Sequence, residues 1–447
     1  MIDPKQGQGQ PLDPDPSRRT FLTQAAALAG AGLVLGSAAS AQEGASARGK
    51  AQKHSAKRLQ VAEGEPLRIG VIGTGGMGTG HCGAIVDQVK KGEFNAQIVA
   101  VCDVALPRGM NAQKMLSEKQ GISVDLYYKH EDLLARDDIH GVLIASPEHW
   151  HAQMVTDAIM AGKDVYIEKP VTLRLDDALW LRELMIANDD MICQVGTQYM
   201  MEPRYGEARR LIKEGAIGKA IFSQTSYCRN SKDGEWLYGI NPEIVPGPNL
   251  DWERWCGPLG LHDWDTEVYH RWRRYRTWST GIIGDLLVHM TTPMIYALGD
   301  PWPVRVTAAG GHYVDQKMEN HDQVNINMEL DGGHVMHIVG STCNEQGLEV
   351  LIRGHQANIY LGSKDLVMRP ERIFSDDIDE QKIECDPISP QHALRADWMN
   401  SIRTREPNRS PVERACKVMV MVDLATRSMW DGKAYTFDPK TRSASAV

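Results

Sequence analysis

The stretch Leu67–Gly78 (LRIGVIGTGGMG) decides the fold of this chain. Its mostly apolar first half predicts a buried strand, and the glycine-rich turn leads into a predicted helix over Met77–Lys90. In such a G-x-G-x-x-G turn, Gly73 permits the tight bend, Gly75 lets a pyrophosphate approach the backbone, and Gly78 allows helix and strand to pack closely. The helix N-terminus offers unpaired N–H groups to phosphates. We therefore predict a dinucleotide site formed by Gly73, Thr74, Gly75, Gly76, Met77 and Gly78.

Asp103 directly follows the second predicted strand, Ala96–Cys102. A carboxylate at this position accepts hydrogen bonds from the ribose hydroxyls and repels a 2′-phosphate. This favours NAD as the cofactor. Arg108 lies close in sequence and suits a 2′-phosphate, so NADP stays the less favoured alternative.

The rest of the chain shows two patterns of predicted strands and helices. Up to Val195, short apolar runs alternate with helical stretches, which predicts a parallel sheet covered by helices on both faces. After a long irregular stretch, Ser231–Thr280, strands follow one another without helices, and two helices close the chain. We predict an α/β Rossmann domain over residues 66–195. We predict an α+β domain over residues 196–447, with a largely antiparallel open-faced sheet that binds substrate and forms oligomers.

The N-terminus predicts export. Ser17–Leu22 contains a twin-arginine pattern, Ala25–Gly36 is a short weakly apolar run, and Ala39–Ala41 fits a small-x-small cleavage site. These three parts resemble a bacterial Tat signal, so residues 1–41 are predicted to be a signal peptide and residues 42–65 a flexible leader. The apolar run is too short to span a bilayer. We expect a periplasmic or secreted protein without a membrane anchor in its mature form.

Charge and cysteine usage exclude two classes of site. The formal net charge is −9, which argues against a general nucleic-acid binder. The eight cysteines form no Cys-x-x-Cys pair and several lie in apolar runs, as is typical of buried thiols and not of a zinc site or a disulfide framework. We predict no metal site.

Two later motifs are specific. Ile144–Ala152 (IASPEHWHA) and Val165–Pro170 (VYIEKP) resemble the T/S-P-x-x-x-H and E-K-P motifs of the glucose–fructose oxidoreductase/inositol dehydrogenase (Gfo/Idh/MocA) family. Asp251–Pro258, Gly281–His289 and Phe437–Pro439 are also similar to segments of that family. The resemblance covers most of the chain beyond Leu67. It implies a nicotinamide-dependent enzyme that acts on a sugar or polyol.

The resemblance implies roles for individual residues. Lys169 would face the nicotinamide and the reacting carbinol, at the sheet edge where doubly wound folds bind ligands. Its turn is expected to contain a cis bond before Pro170. Asp285 and His289 are four apart on a predicted helix, a spacing that alone favours a capping Asp and a core His. With the family pattern we assign catalysis to Lys169, His289 and Asp285. Further cofactor contacts are predicted for Ser146, Pro147, His151, Glu168, Lys169 and Gln198.

Substrate contacts are less well defined by the sequence. Many members of the family carry an Arg where this chain has Met200, so we expect Arg204 to take its place beside Tyr199. Arg273 and Tyr275 belong to a basic aromatic cluster that suits an anionic or polyhydroxylated ligand. The same cluster also fits a solvated loop or an oligomer contact. A homo-oligomer is expected by resemblance.

Export restricts the chemistry, because free NAD does not circulate outside the cytoplasm. We therefore expect a tightly held cofactor and a redox-neutral cycle. Either one sugar is oxidised while a second carbonyl compound is reduced, or the bound NAD serves an oxidation–elimination–hydration–reduction route of the kind used by glycoside hydrolase family 109. A third hypothesis is a non-catalytic protein that retains NAD. The first is favoured because Lys169, Asp285 and His289 resemble the dehydrogenase pattern.

Overall fold

The computed structural model describes residues 50–447, and residues 52–447 form one compact unit. The predicted signal peptide lies outside the described residues. The strands are β1 Leu67–Ile72, β2 Ala96–Cys102, β3 Asp125–Tyr127, β4 Gly141–Ile144, β5 Asp164–Ile167, β6 Cys193–Val195, β7 Ala220–Asn230, β8 Pro303–Gly311, β9 Gln323–Leu330, β10 His334–Ser341, β11 Cys343–Asn344, β12 Leu351–Gly354, β13 Ala357–Leu361, β14 Asp365–Pro370, β15 Gln381–Glu384, β16 Tyr435–Asp438 and β17 Ser443–Ala446. The α-helices are α1 Gly76–Lys90, α2 Leu106–Gln120, α3 His130–Leu134, α4 Glu148–Met160, α5 Leu175–Ala187, α6 Pro203–Lys213, α7 Trp252–Cys256, α8 Thr266–Arg271, α9 Val288–Ala297, α10 Pro390–Thr404 and α11 Val412–Asp431.

The first sheet is parallel and has the strand order β3-β2-β1-β4-β5-β6. Consecutive strands are joined by helices, as right-handed crossovers between parallel strands require. The order reverses between β1 and β4, and this reversal is where doubly wound sheets bind their ligands. The Rossmann fold predicted for this half is confirmed.

The second sheet is larger and mostly antiparallel, with the order β15-β14-β13-β12-β7-β10-β9-β8-β16-β17 and with β11 paired to β7. The predicted α+β half is confirmed. The sheet is largely antiparallel as predicted, with one exception, because β10 pairs with β7 in parallel. A parallel pair needs a long connection, and the 231–302 segment between these strands supplies it together with β8 and β9.

Helix α10 packs against the first domain although it belongs to the second half of the chain. Its apolar face places Leu394, Trp398 and Ile402 in the core of the parallel sheet. A Cβ at Gly141 on β4 would lie 3.1 Å from Ile402 and 3.3 Å from Trp398, so the strand and helix are in close contact. The two predicted domains therefore share core residues across the boundary at 195.

The irregular stretch 231–280 folds around aromatic side chains. It contains only the short helices α7 and α8 and brief 3₁₀ turns. Trp252, Trp255, Tyr269 and Trp278 form their own buried core, with Trp252 and Trp255 stacked at 4.7 Å. Aromatic pairs of this kind contribute beyond the apolar area they bury. We call residues 236–280 the insert.

The described part of the predicted leader is held against the first domain. The side chain of Asn188, which is fully buried, donates to the Gln52 carbonyl (3.0 Å) and accepts from the His54 N–H (2.7 Å). His54 also contacts Asp190 (3.1 Å). The flexible leader predicted from composition therefore has fixed contacts from residue 52 onward.

The eight cysteines are all free thiols, and six are buried. Cys228 and Cys343 are half-buried. Among the residues from 50 onward, no helix has both the length and the apolar character needed to cross a bilayer.

Candidate active site

The glycine-rich turn between β1 and α1 presents bare backbone to a cavity. Gly73 has φ of +87°, and a Cβ there would lie 2.7 Å from the backbone of Ala145 and Ser146. Helix α1 begins at Gly76 without a side-chain cap, so its first N–H groups remain available to a ligand. A phosphate group would meet these N–H groups and the positive end of the helix dipole.

The cavity beside this turn has a volume of about 520 Å³. It is lined on one side by the ends of β1, β2 and β4 and on the other by the insert. Its wall contains Gly73, Gly75, Gly76, Met77, Asp103, Arg108, Ser146, Pro147, Trp150, Tyr238, Arg254, Trp255, Tyr269, His270, Trp272 and Arg273. The size and the mixed apolar and polar lining suit a cofactor.

Asp103 lies in the cavity wall at the end of β2, where the sequence placed a ribose contact. Its Oδ2 accepts from the N–H (2.7 Å) and the hydroxyl (2.9 Å) of Thr74, and its Oδ1 accepts from the Ala105 N–H (2.8 Å). These bonds fix the carboxylate beside the glycine-rich turn. A fixed negative group here opposes a 2′-phosphate.

The insert is joined to the loop after β2 by backbone hydrogen bonds. The Leu106 N–H donates to the Asn249 carbonyl (3.0 Å), and the Asp251 N–H donates to the Val104 carbonyl (3.1 Å). On the other side, His149 Nε2 (2.7 Å) and the Trp150 indole (3.0 Å) both donate to the Trp255 carbonyl. The insert is thus attached to two loops of the first domain, on both sides of the cavity.

A chain of charged groups leads from the end of β5 to the cavity wall. Lys169 Nζ donates to both the Oδ1 and the backbone carbonyl of Asp285, each at 2.9 Å. Arg273 Nε donates to the same Oδ1 at 2.7 Å. Burial would raise the pKa of Asp285, but the charges of Lys169 and Arg273 outweigh it and hold that pKa well below its usual range.

His289 lies near this group with its ring in an aromatic environment. The rings of Tyr199 and Tyr227 lie 5.9 and 6.1 Å away. Burial, reinforced by the charge of Lys169, lowers the pKa of His289 to about 3. Its Nδ1 is buried without a partner among the described residues. A neutral imidazole of this kind can accept a proton from a hydroxyl group.

Glu168 belongs to a buried relay instead of the cavity wall. Its Oε1 accepts from His81 Nε2 (2.8 Å), and Arg395 donates to His81 Nδ1 (3.3 Å). Because arginine only donates, Nδ1 of His81 accepts in the contact with Arg395 and its Nε2 donates to Glu168. Burial would raise the pKa of Glu168, but the hydrogen bond from His81 and neighbouring charges, that of Lys169 among them, together outweigh it and lower that pKa. The relay fixes the turn that carries Lys169, whose bond to Pro170 is cis as expected.

Comparison with known proteins identifies the family. Residues 67–197 match the oxidoreductase family with an NAD-binding Rossmann fold (GFO_IDH_MocA). Residues 260–437 match the C-terminal alpha/beta domain of the same family. The chain belongs to the Gfo/Idh/MocA oxidoreductase family. Its first domain is an NAD-binding Rossmann domain, and the carboxylate of Asp103 is consistent with NAD as the preferred cofactor.

The chain is similar in sequence to inositol 2-dehydrogenases. The chain is 30% identical over 206 residues to an inositol 2-dehydrogenase of Gluconacetobacter diazotrophicus, covering 46% of this chain and 54% of that protein. It is 30% identical over 178 residues to inositol 2-dehydrogenase 1 of Saccharopolyspora erythraea, covering 40% and 49%. The chain thus spans about half the length of the curated relatives it matches.

Solved structures share the fold. A levoglucosan dehydrogenase in complex with NADH has a TM-score of 0.61 at 17% identity, covering 86% of this chain and 99% of that one. A myo-inositol 2-dehydrogenase of Lactobacillus plantarum has a TM-score of 0.59 at 16% identity, covering 84% and 100%. At this identity the likeness concerns the fold alone.

Several residues assigned to the cofactor lie beside the cavity and not in its wall. Ser146 and Pro147 line it, whereas His151 is buried between the carbonyls of Ser146 (2.9 Å) and Pro170 (2.7 Å) and connects the two family motifs. Glu168 and Lys169 are engaged by the relay and by Asp285. Gln198 begins a 3₁₀ turn after β6 and does not line the cavity.

Two predicted substrate residues lie elsewhere. Arg204 is held by Glu202 (2.7 Å) and by the carbonyls of Leu361 (3.0 Å) and Gly362 (2.7 Å), so its guanidinium binds the β13–β14 turn. Tyr275 packs on the aromatic core of the insert and is absent from the cavity wall. In contrast, Tyr199 contacts His289 and Arg273 lines the cavity. The positions of Arg204 and Tyr275 follow from contacts with segments distant in sequence.

Sequence reasoning missed Glu148, which lies inside a quoted motif. Its Oε1 accepts from the Ser279 hydroxyl (2.5 Å), while its Oε2 is buried without a partner among the described residues. Burial raises the pKa of Glu148 to about 8, against the opposing hydrogen bond from Ser279. The only available signal was a glutamate at the first position of a helix, which is ordinary there.

Proposed function

We propose that this protein is an NAD-dependent oxidoreductase that acts on a carbinol of a sugar or polyol and keeps its cofactor through a redox-neutral cycle. The observation that carries the proposal is the set of bonded charged groups Lys169, Asp285 and Arg273. Lys169 lies behind the cavity beside the glycine-rich turn, and Arg273 lies in the wall of that cavity. Sugar and polyol dehydrogenases among the relatives support the substrate class.

Each residue of the cluster has a defined task in this proposal. A nicotinamide bound in the cavity would accept a hydride and later return it. Lys169 hydrogen-bonds the substrate oxygen, Asp285 fixes the Lys169 ammonium, and neutral His289 takes the hydroxyl proton. The relay from Arg395 through His81 to Glu168 keeps the Lys169 turn in position.

Retention of the cofactor is proposed from the insert together with the predicted export signal. The insert covers the cavity and is bonded to two loops of the first domain. Tat transport carries folded proteins, so a cofactor bound in the cytoplasm would travel with the enzyme to the periplasm. A covered cofactor that cannot exchange requires a second compound to reoxidise it.

The test is to purify the exported protein, denature it and quantify the released NAD(H), then offer single compounds to the native protein. Close to one NAD per chain and reduction of bound cofactor by a single sugar or polyol would support the proposal. Cleavage of glycosides without net reduction would replace it by the hydrolase route. Bound cofactor with neither reaction would indicate a binding protein, and absence of cofactor would contradict retention.

Gly257→Ala should weaken the packing of the insert over the cavity. Gly257 has φ of +50° and a Cβ there would overlap the Trp150 indole, so the variant must move α7 away from the first domain. We expect the NAD content after prolonged dialysis to fall severalfold. Leu261→Ala, at an exposed position of the same insert, is the matched control and should retain its NAD. Equal retention by both variants would mean that the insert does not hold the cofactor.

A further inference from the structure

Arg273 has donors that the protein does not use. Its Nε is bonded to Asp285, but no described residue accepts a hydrogen bond from its two terminal amino groups. The guanidinium lies in the cavity wall, supported by the Trp272 ring 4.2 Å below it. Its side chain is 21% exposed, so the free amino groups are accessible from the cavity.

The charges around Asp285 do not balance. Lys169 and Arg273 share its single carboxylate, and Glu168 is linked through His81 to Arg395. Glu148 is uncharged at neutral pH because of its burial. Three cationic side chains therefore face two carboxylates, and the surplus positive charge lies where Arg273 meets the cavity. Unused N–H donors and surplus positive charge beside a cavity favour an anionic ligand.

We propose that the substrate of this site is a sugar acid, such as a uronate or an aldonate, whose carboxylate is bound by the terminal amino groups of Arg273. This inference rests on the proposed oxidoreductase function and names its substrate class. Two parallel N–H donors of a guanidinium match the two oxygens of a carboxylate. The hydroxyl groups of such a compound would then reach Lys169, which is joined to Arg273 through Asp285.

The cofactor's phosphates are a poorer match for Arg273. The phosphate-binding turn follows β1 and the ribose position follows β2, whereas Lys169 follows β5. In the strand order β2-β1-β4-β5 the ends of β1 and β5 are two strand spacings apart, about 10 Å, and those of β2 and β5 are three apart, about 14 Å. Arg108, which lines the cavity near Asp103, is the cation placed for the nucleotide end. Arg273 belongs to the reacting end.

The proposal makes binding depend on pH. Glu148 faces Ser279, Asp285, Arg273 and Lys169, and it is neutral below its pKa of about 8. Above that value its charge would compensate Arg273 and Lys169. Affinity for a sugar acid, measured by calorimetry, should therefore fall severalfold as the pH rises through about 8. Glu148→Gln, which keeps the neutral form at every pH, should abolish this decrease; a pH profile unchanged in the variant would contradict the charge account.

The direct experiment is calorimetric titration of the purified, cofactor-loaded protein with D-glucuronate, D-galacturonate and D-gluconate, each against its neutral counterpart. We expect at least one acid to bind about tenfold more tightly than its neutral partner, the effect of one charge-assisted hydrogen bond. Arg273→Lys keeps the ion pair with Asp285 and should fold, but a point charge loses the paired geometry and most of the preference. Arg271→Lys, whose parent side chain pairs with Glu267, is the matched control and should keep it.

The outcomes separate the two proposals. Neutral sugars that bind as tightly as every acid, or a preference that survives in Arg273→Lys, would overturn the carboxylate site. Reduction of bound NAD by neutral sugars alone would overturn it as well, while the oxidoreductase function would stand. Arg273-dependent binding of an acid without any cofactor reduction would support the carboxylate site and contradict the oxidoreductase.

Discussion

Lys169→Met should abolish most of the turnover and leave cofactor binding intact. The variant keeps an unbranched apolar side chain but removes the ammonium that bonds Asp285 and, in our proposal, the substrate oxygen. Removing one preorganised hydrogen-bond donor to the reacting oxygen costs about 100- to 1,000-fold in rate, and we expect a loss in that range. The measurement is single-turnover reduction of the bound NAD by a substrate identified as described above.

The protein should fold without this ammonium, because Asp285 keeps its bond to Arg273. Thermal unfolding and NAD content measured on the same preparation check this point. Lys213→Met, at an exposed position near the end of α6, controls for removal of a lysine and should be fully active. Activity of Lys169→Met within tenfold of the parent protein would exclude Lys169 from the chemistry.

The sequence was sufficient for the parts of the fold that depend on local patterns. The strand Leu67–Ile72 agrees with the prediction, because a buried parallel strand appears in the sequence as a mostly apolar run, here followed by glycine. Packing between segments distant in sequence could not be predicted from the sequence. The insert looked irregular because its helices are short and depend on stacked aromatic rings, and α10 gave no sign that it joins the first domain's core.

In the site, too, residues in local motifs were predicted and contacts between distant segments were not. Lys169 and Asp285 were found through motifs, and the structure brings them within 2.9 Å. The sequence predicted that Asp285 and His289 lie on one helix. In the structure Asp285 lies in a π-helical segment, Ile283–Leu287, before α9 begins. Arg395 contacts the site from a helix more than two hundred positions after Lys169. No local sequence pattern predicts a contact between segments so far apart.

Gly78→Ala should remove the cofactor. A Cβ at Gly78 would overlap the carbonyl oxygen of Gly73, so α1 and the glycine-rich turn cannot keep their present contact. Displacing the turn also displaces the N–H groups that we expect to bind the pyrophosphate, and both direct bonds and the helix dipole contribute there. We expect the purified variant to contain less than about a tenth of the NAD of the parent protein, a loss of roughly 1.4 kcal/mol or more. The measurement is NAD released on denaturation.

Gly80→Ala is the control that makes this result specific. Gly80 lies on the same helix two residues further, and a Cβ there meets nothing within 4 Å. Alanine in a helix interior is favoured over glycine by about 1 kcal/mol, so this variant should be as stable as the parent or more so and should retain its NAD. If Gly78→Ala also retained full NAD content, the cofactor would have to be held without the turn, and the assignment of the cavity to the dinucleotide would fail. Loss in Gly78→Ala alone would tie cofactor binding to the contact between Gly73 and α1.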